Sequence, residues 1–228
     1  MSCKCISTQR LIIIKIKEVI SIPTKVDFKK SMKDFYLPSA KEVVEIEVPE
    51  MQFLMIDGMG SPGDSQEYLD ALTALYPIAF KTKFLSKAKG KDYVVPPLEG
   101  LWWADDMDDF KEGNRDKWKW TMMIMQPIWI SKEMIDEAIQ ITIEQKPELK
   151  ENILKLRLES YKEGKAAQIM HIGPYFEEGP TIAKIHKFIK SKGGNFDGYN
   201  QKHHEIYLSD PRKAKPENMK TVIRQSFK

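Results

Sequence analysis

The feature that most constrains this chain is an internal repeat, in which the order strand, helix, strand, strand occurs twice and the two occurrences match at particular residues. Phe53-Leu-Met-Ile-Asp-Gly58 corresponds to Gln168-Ile-Met-His-Ile-Gly173, and Leu101-Trp-Trp-Ala-Asp105 to Ile206-Tyr-Leu-Ser-Asp210. Two units of this kind are expected to bury their apolar faces against each other about a pseudo-twofold axis. The fold class expected is α+β: duplicated β-α-β-β units, antiparallel sheets, and a central ligand cleft where the halves meet.

The first half spans about 42–127. Val44, Ile46 and Val48 alternate with Glu45 and Glu47, and a strand-like run from Met51 to Ile56 is ended by Gly58 and Gly60. Asp64 with Glu67 has capping-box spacing. Tyr68, Leu69, Leu72, Leu75, Tyr76, Ala79 and Phe80 then follow at helical intervals, with a kink expected at Pro77. Strands are expected over Asp92–Ala104 and Lys117–Gln126, joined by an acidic loop. Ser131 caps a connector helix carrying Met134, Ile135, Ala138 and Ile139, which Pro147 ends. The second half, about 155–226, repeats the order: Leu156–Ile172, a Gly173-Pro174 break, a helix from Thr181, a glycine-rich loop, and strands His203–Leu208 and Lys220–Gln225. Residues 1–26, apolar and basic with Cys3 and Cys5, read as an appendage to one domain of 27–228.

With 228 residues and 42% hydrophobic content, the chain can bury one full-sized core. Lysine and arginine total 36 against 33 acidic residues, so the net charge of +3 is no basic field, and direct nucleic-acid binding is not expected. Leu11–Ile14 is too short and too closely followed by Lys15 and Lys17 for a membrane span. The paucity of cysteine fits a cytoplasmic protein.

Strand alternation sorts the candidate site residues by face. His203, Glu205 and Tyr207 share one side of their strand, and His204, Ile206 and Leu208 the other. In the matching strand Gly100, Trp102 and Ala104 share one side, and Glu99, Leu101 and Trp103 the other. If the halves pack symmetrically, Trp102 and Tyr207 flank Glu205 as an aromatic box with an acid at its base, suited to flat, apolar or cationic molecules. The plainer reading of Glu205 is an exposed strand glutamate in a cross-strand pair. Trp118 and Trp120 read as core or cleft wall, and Trp103 as packing or ligand contact. His171 and His186 are single histidines on apolar elements, and the adjacent His203 and His204 point opposite ways, so no metal is expected. No cofactor is expected either, and with neither a phosphate-cradling glycine loop nor a nucleophile elbow the familiar nucleotide-binding and hydrolase classes get no support.

Leu98–Asp106, Trp118–Pro127, Gln168–Tyr175, Glu178-Gly-Pro180 and His203–Pro211 together resemble the stand-alone GyrI-like proteins of bacteria, from about Asp27 to the C-terminus. The resemblance implies a duplicated β-α-β-β fold shared with effector-binding domains of multidrug-sensing transcription activators and with SOUL-type proteins. In those activators a buried late-strand glutamate meets cationic aromatic drugs, and Glu205 stands at that place. Some stand-alone members resemble hydrolases that open the cyclopropane of DNA-alkylating natural products. That likeness implies Glu205, Tyr207 and Trp102 as the working residues. The candidate site is then Glu205 and Tyr207 as catalytic residues, with Trp102, Trp103, Glu99, Tyr175, His171 and Trp120 as ligand contacts. The alternative reading is a module that binds or senses drugs without chemistry, or a gyrase-inhibitor-like protein. A small-molecule ligand is expected in every case, and oligomeric state is not legible.

Overall fold

The computed structural model describes residues 25–63 and 65–228, so nearly all of the expected appendage, and Asp64 with it, lies outside the described residues. Two short helices come first, α1 (Phe28–Ser31) and α2 (Lys33–Tyr36), followed by strand β1 (Val44–Met59) and helix α3 (Gln66–Ala88). Strand β2 (Leu98–Trp103), helix α4 (Met107–Glu112) and strand β3 (Lys119–Gln126) complete the first half. Helices α5 (Lys132–Gln145) and α6 (Lys150–Ile153) connect it to β4 (Arg157–Ile172), α7 (Gly179–Ser191), β5 (His203–Tyr207) and β6 (Lys220–Ser226).

The six strands close into an antiparallel barrel in the order β1-β3-β2-β5-β6-β4. The fold is α+β, and each half contributes three neighbouring strands in equivalent order, so the seams are β2–β5 and β1–β4. At the first seam Gly100 pairs with Glu205, Trp102 with His203 and Leu98 with Tyr207. The repeat already equates Leu101–Asp105 with Ile206–Asp210, which makes Gly100 and Glu205 equivalent positions. The pseudo-twofold relation of the sequence therefore runs through this pair.

One face of the barrel wall lies under the long helices. Leu54, Ile56, Trp120, Met122 and Ile124 pack with Ala71, Leu75 and Ile78 of α3 and with Ile135 and Ala138 of α5. Ala167, Ile169 and Ile223 pack with Ile185 and Ile189 of α7. The opposite face lines the barrel, with Phe53, Met55, Leu101, Met123 and Met125 on one side and Met170, Ile206 and Val222 against Tyr36 on the other.

The barrel lining also holds a polar chain. His204 joins Glu99 at 3.0 Å through Nε2 and Glu163 at 3.0 Å through Nδ1, and Arg224 Nη1 donates to Glu163 at 3.0 Å. The same network ties down the N-terminal segment: the Tyr36 hydroxyl donates to Glu99, Arg224 Nη2 to the Phe35 carbonyl, and Gln168 Nε2 to the Asp34 carbonyl. Burial opposes charge on both members of the central pair. The His204 and Arg224 cations nonetheless hold the Glu163 carboxyl down at about 2, and Glu163 with Glu99 holds the His204 imidazole up at about 9.

Several local expectations are corrected. Helix α3 is capped by Ser65, whose hydroxyl accepts from the Tyr68 amide, in place of Asp64. Its buried side is Ala71, Ala74, Leu75, Ile78, Ala79, Thr82 and Ser86, so Leu69, Tyr76 and Phe80 are left facing solvent, and Pro77 lies inside the helix. The strand expected from Asp92 begins only at Leu98, because the preceding stretch instead pairs Tyr93 with Val26. The acidic loop contains α4, whose N-cap Asp106 accepts from the Asp108 amide.

Candidate functional site

Glu205 sits on the helix-covered face at the β2–β5 seam, with its side chain 16% exposed. Its neighbours two residues away on β5 share its face, as the period of a strand requires. Tyr207 donates its hydroxyl proton to Glu205 Oε2 at 2.7 Å, and His203 Nε2 lies 3.1 Å from Oε1. The Trp102 indole N–H, reaching over Gly100, donates to the Tyr207 oxygen at 3.1 Å. Burial opposes ionisation of Glu205, but the His203 and Tyr207 contacts outweigh it and hold the carboxyl below its ordinary range. The Tyr207 phenol is driven well above its ordinary value by burial and by the Glu205 charge, so it keeps its proton.

Aromatic rings wall this carboxylate on both sides. Tyr68 of α3 stacks against Trp102 with centroids 6.3 Å apart and meets Trp120 edge-on at 5.5 Å. Trp118 meets Trp102 edge-on and stacks on Phe110 of α4 at 4.1 Å. On the far side Tyr175 meets Tyr207 edge-on at 5.7 Å. Beside His203 opens a cavity of about 300 Å³ between α4 and α7, lined by Phe110, Trp118, Ile182, His186 and Phe196 with Gln225 at its floor. That volume is at the small end of the range for ligand pockets. The cavity reaches His203, whose Nε2 contacts Glu205, so a flat molecule held by its faces there would lie one side chain away from the acid.

The sequence matches the GyrI-like small molecule binding domain over residues 41–224. This chain belongs to the GyrI-like family. Three crystal structures of Listeria innocua proteins are 42% identical over 90% of this chain and 100% of theirs. One is described as an uncharacterized conserved protein, with a TM-score of 0.83, and two are described as hydrolases, at 0.78 and 0.77. The EcmrR C-terminal domain shares the fold at a TM-score of 0.50 and 11% identity, over 82% of this chain and 97% of its own. A comparison with curated protein sequences finds no match. Among the described residues of this GyrI-like protein, no helix is long and apolar enough to cross a membrane.

The GyrI-like fold brings together Glu205, Tyr207, Trp102 and Tyr175 at one place. Trp120 belongs to the wall: it is fully buried, and its indole lies against Gly58 so closely that a Cβ there would overlap the ring. His171 stands behind the site, bonded to the Thr181 hydroxyl at 3.0 Å and the Pro174 carbonyl at 3.3 Å, and so secures the loop that carries Tyr175. Glu99 and Trp103 are not brought to the cleft. Alternation turns both to the barrel lining, where Glu99 serves the His204 network and Trp103 packs beside Met123 and takes Lys202 over its ring at 4.2 Å. Two contributors were missed. Phe110 had a signal in the i, i+3 pair Met107 and Phe110 within the acidic stretch. Glu178 stood inside the motif Glu178-Gly-Pro180, but nothing in its spacing shows where its side chain goes.

Proposed function

We propose that this protein binds planar apolar or cationic small molecules over Glu205 and hydrolyses those carrying a strained electrophilic carbon, such as a cyclopropane conjugated to a carbonyl. The observation that carries the reading is a carboxylate held ionised, partly open to solvent, and walled by Tyr68, Trp102, Trp118 and Tyr175. The likeness at 42% identity to two proteins described as hydrolases supports the catalytic half of it.

In the proposed reaction Glu205 takes a proton from water as the water oxygen bonds to the strained ring carbon. The carbon–carbon bond breaks, and its electron pair travels through the conjugated system to the carbonyl oxygen. The aromatic walls hold the ligand plane so that attack occurs from a fixed direction. Tyr207 has already committed its proton to Glu205 and its oxygen to Trp102, so its role is to fix the carboxylate in place, not to donate to the substrate.

Incubation of the purified protein with aromatic cations and cyclopropane-bearing electrophiles, read by mass spectrometry, tests the reading. A product heavier by one water supports hydrolysis. Saturable quenching of tryptophan fluorescence without product leaves a binding module, and neither signal overturns the assignment.

A further inference from the structure

We propose that Glu178 is the general acid of this site, holding the proton that is delivered to the substrate oxygen on which the electron pair arrives. The inference rests on the hydrolytic reading of Glu205 and supplies what that reading lacks. Hydrolysis of a strained ring leaves negative charge on a carbonyl oxygen, and the Tyr207 proton is already given to Glu205.

Glu178 is the residue on which α7 begins, and it is 4% exposed. Its side chain makes no capping bond to the helix, and its Oε1 is buried without a hydrogen-bond partner. An ionised carboxylate left so would be costly, whereas a protonated one needs only a single acceptor, which the neighbouring Glu205 carboxylate can be until a ligand oxygen takes its place. The groups facing it are Glu205 and Tyr207 of β5, Tyr175 in the turn before α7, and Thr221 of β6. Burial and the Glu205 charge push the Glu178 carboxyl up to about 9, while Glu205 is held low by His203 and Tyr207. Two neighbouring carboxyls whose environments drive them apart have the arrangement of a base and an acid.

The step balances. Water loses one proton to Glu205, its oxygen bonds to carbon, and the released electron pair on the carbonyl oxygen receives the Glu178 proton. The product has gained one water, and the pair is left with Glu205 protonated and Glu178 ionised. A proton passing between the two carboxyls restores the starting state, and no outside co-reactant is needed.

Glu178→Gln and Glu205→Gln test this, with binding of an unreactive planar aromatic measured alongside single-turnover rates. Glu178→Gln is expected to bind as the parent does, to react about 100-fold more slowly, and to lose the alkaline limb of the pH profile. Glu205→Gln is expected to lose the acid limb. An unchanged rate and profile in Glu178→Gln, with Glu205→Gln inactive, overturns the role of Glu178 and leaves the hydrolytic reading standing. Infrared spectroscopy of the parent protein gives a readout independent of turnover. A carboxylic-acid carbonyl band is expected at neutral pH, to vanish in alkali and to be missing from Glu178→Gln. Absence of that band from the parent at neutral pH overturns the inference even if no electrophile is turned over.

Discussion

Gly100 and Glu205 face each other across the seam between the two halves, and the missing side chain of the first leaves room for the Trp102–Tyr207 hydrogen bond beside the second. A Cβ on Gly100 would stand 2.8 Å from Trp102 Nε1, 2.6 Å from Met122 Cε and 3.1 Å from the Tyr207 hydroxyl. Gly100→Ala therefore has to displace the Trp102–Tyr207 hydrogen bond. The expected cost is about 1–3 kcal/mol of stability, measured by urea unfolding, together with weaker ligand binding by calorimetry.

Tyr207→Phe removes the hydroxyl that donates to Glu205 and accepts from Trp102. With one stabilising bond gone, Glu205 should become easier to protonate, so the acid limb of the activity profile should move to higher pH. A profile that keeps its acid limb while the rate falls at every pH would mean that Tyr207 acts on the substrate directly.

The cavity beside His203 can be closed without touching Glu205. Ile182→Trp fills part of the roughly 300 Å³ between α4 and α7. Calorimetry should show a marked loss of affinity for extended planar ligands and little change for small cations that need only the acid. Equal loss for both would show that the cavity is not where the body of the ligand lies.

The barrel-lining pair sets a pH window for stability. Glu163 is ionised down to about 2 in the fold, so its contribution is present above the ordinary carboxylate range and is lost as pH falls from there toward 2. His204 is protonated up to about 9, so its contribution is complete below the ordinary imidazole range and is lost as pH rises from there through 9. The urea midpoint should fall on both sides of mild acidity. His204→Ala, which strands Glu163 and Glu99 in the interior, should cost about 3–5 kcal/mol.

Much of this was legible in the sequence because a strand has a period of two. Once the repeat equates the strand of Trp102 with that of Tyr207, the parity of His203, Glu205 and Tyr207 follows, and the structure keeps it. The same parity places Glu99 and Trp103 on the other face, so their absence from the cleft was also written in the alternation. What could not be read is of two kinds. Helices α1 and α2, each four residues long, are too short to establish a period. Glu178 is aimed by the turn over Tyr175–Glu177, and the His171 bonds that secure this loop are formed only in the folded chain.

The region that defines the family begins at residue 41, yet the barrel is not closed off by that region alone. Gln168 and Arg224 donate hydrogen bonds to the carbonyls of Asp34 and Phe35, and Glu99 accepts one from Tyr36, all three of which lie ahead of it. A fragment that began at residue 41 would leave the ends of this buried charged network open, so a unit for expression, swapping or fusion should keep α1 and α2 together with their cap, Asp27.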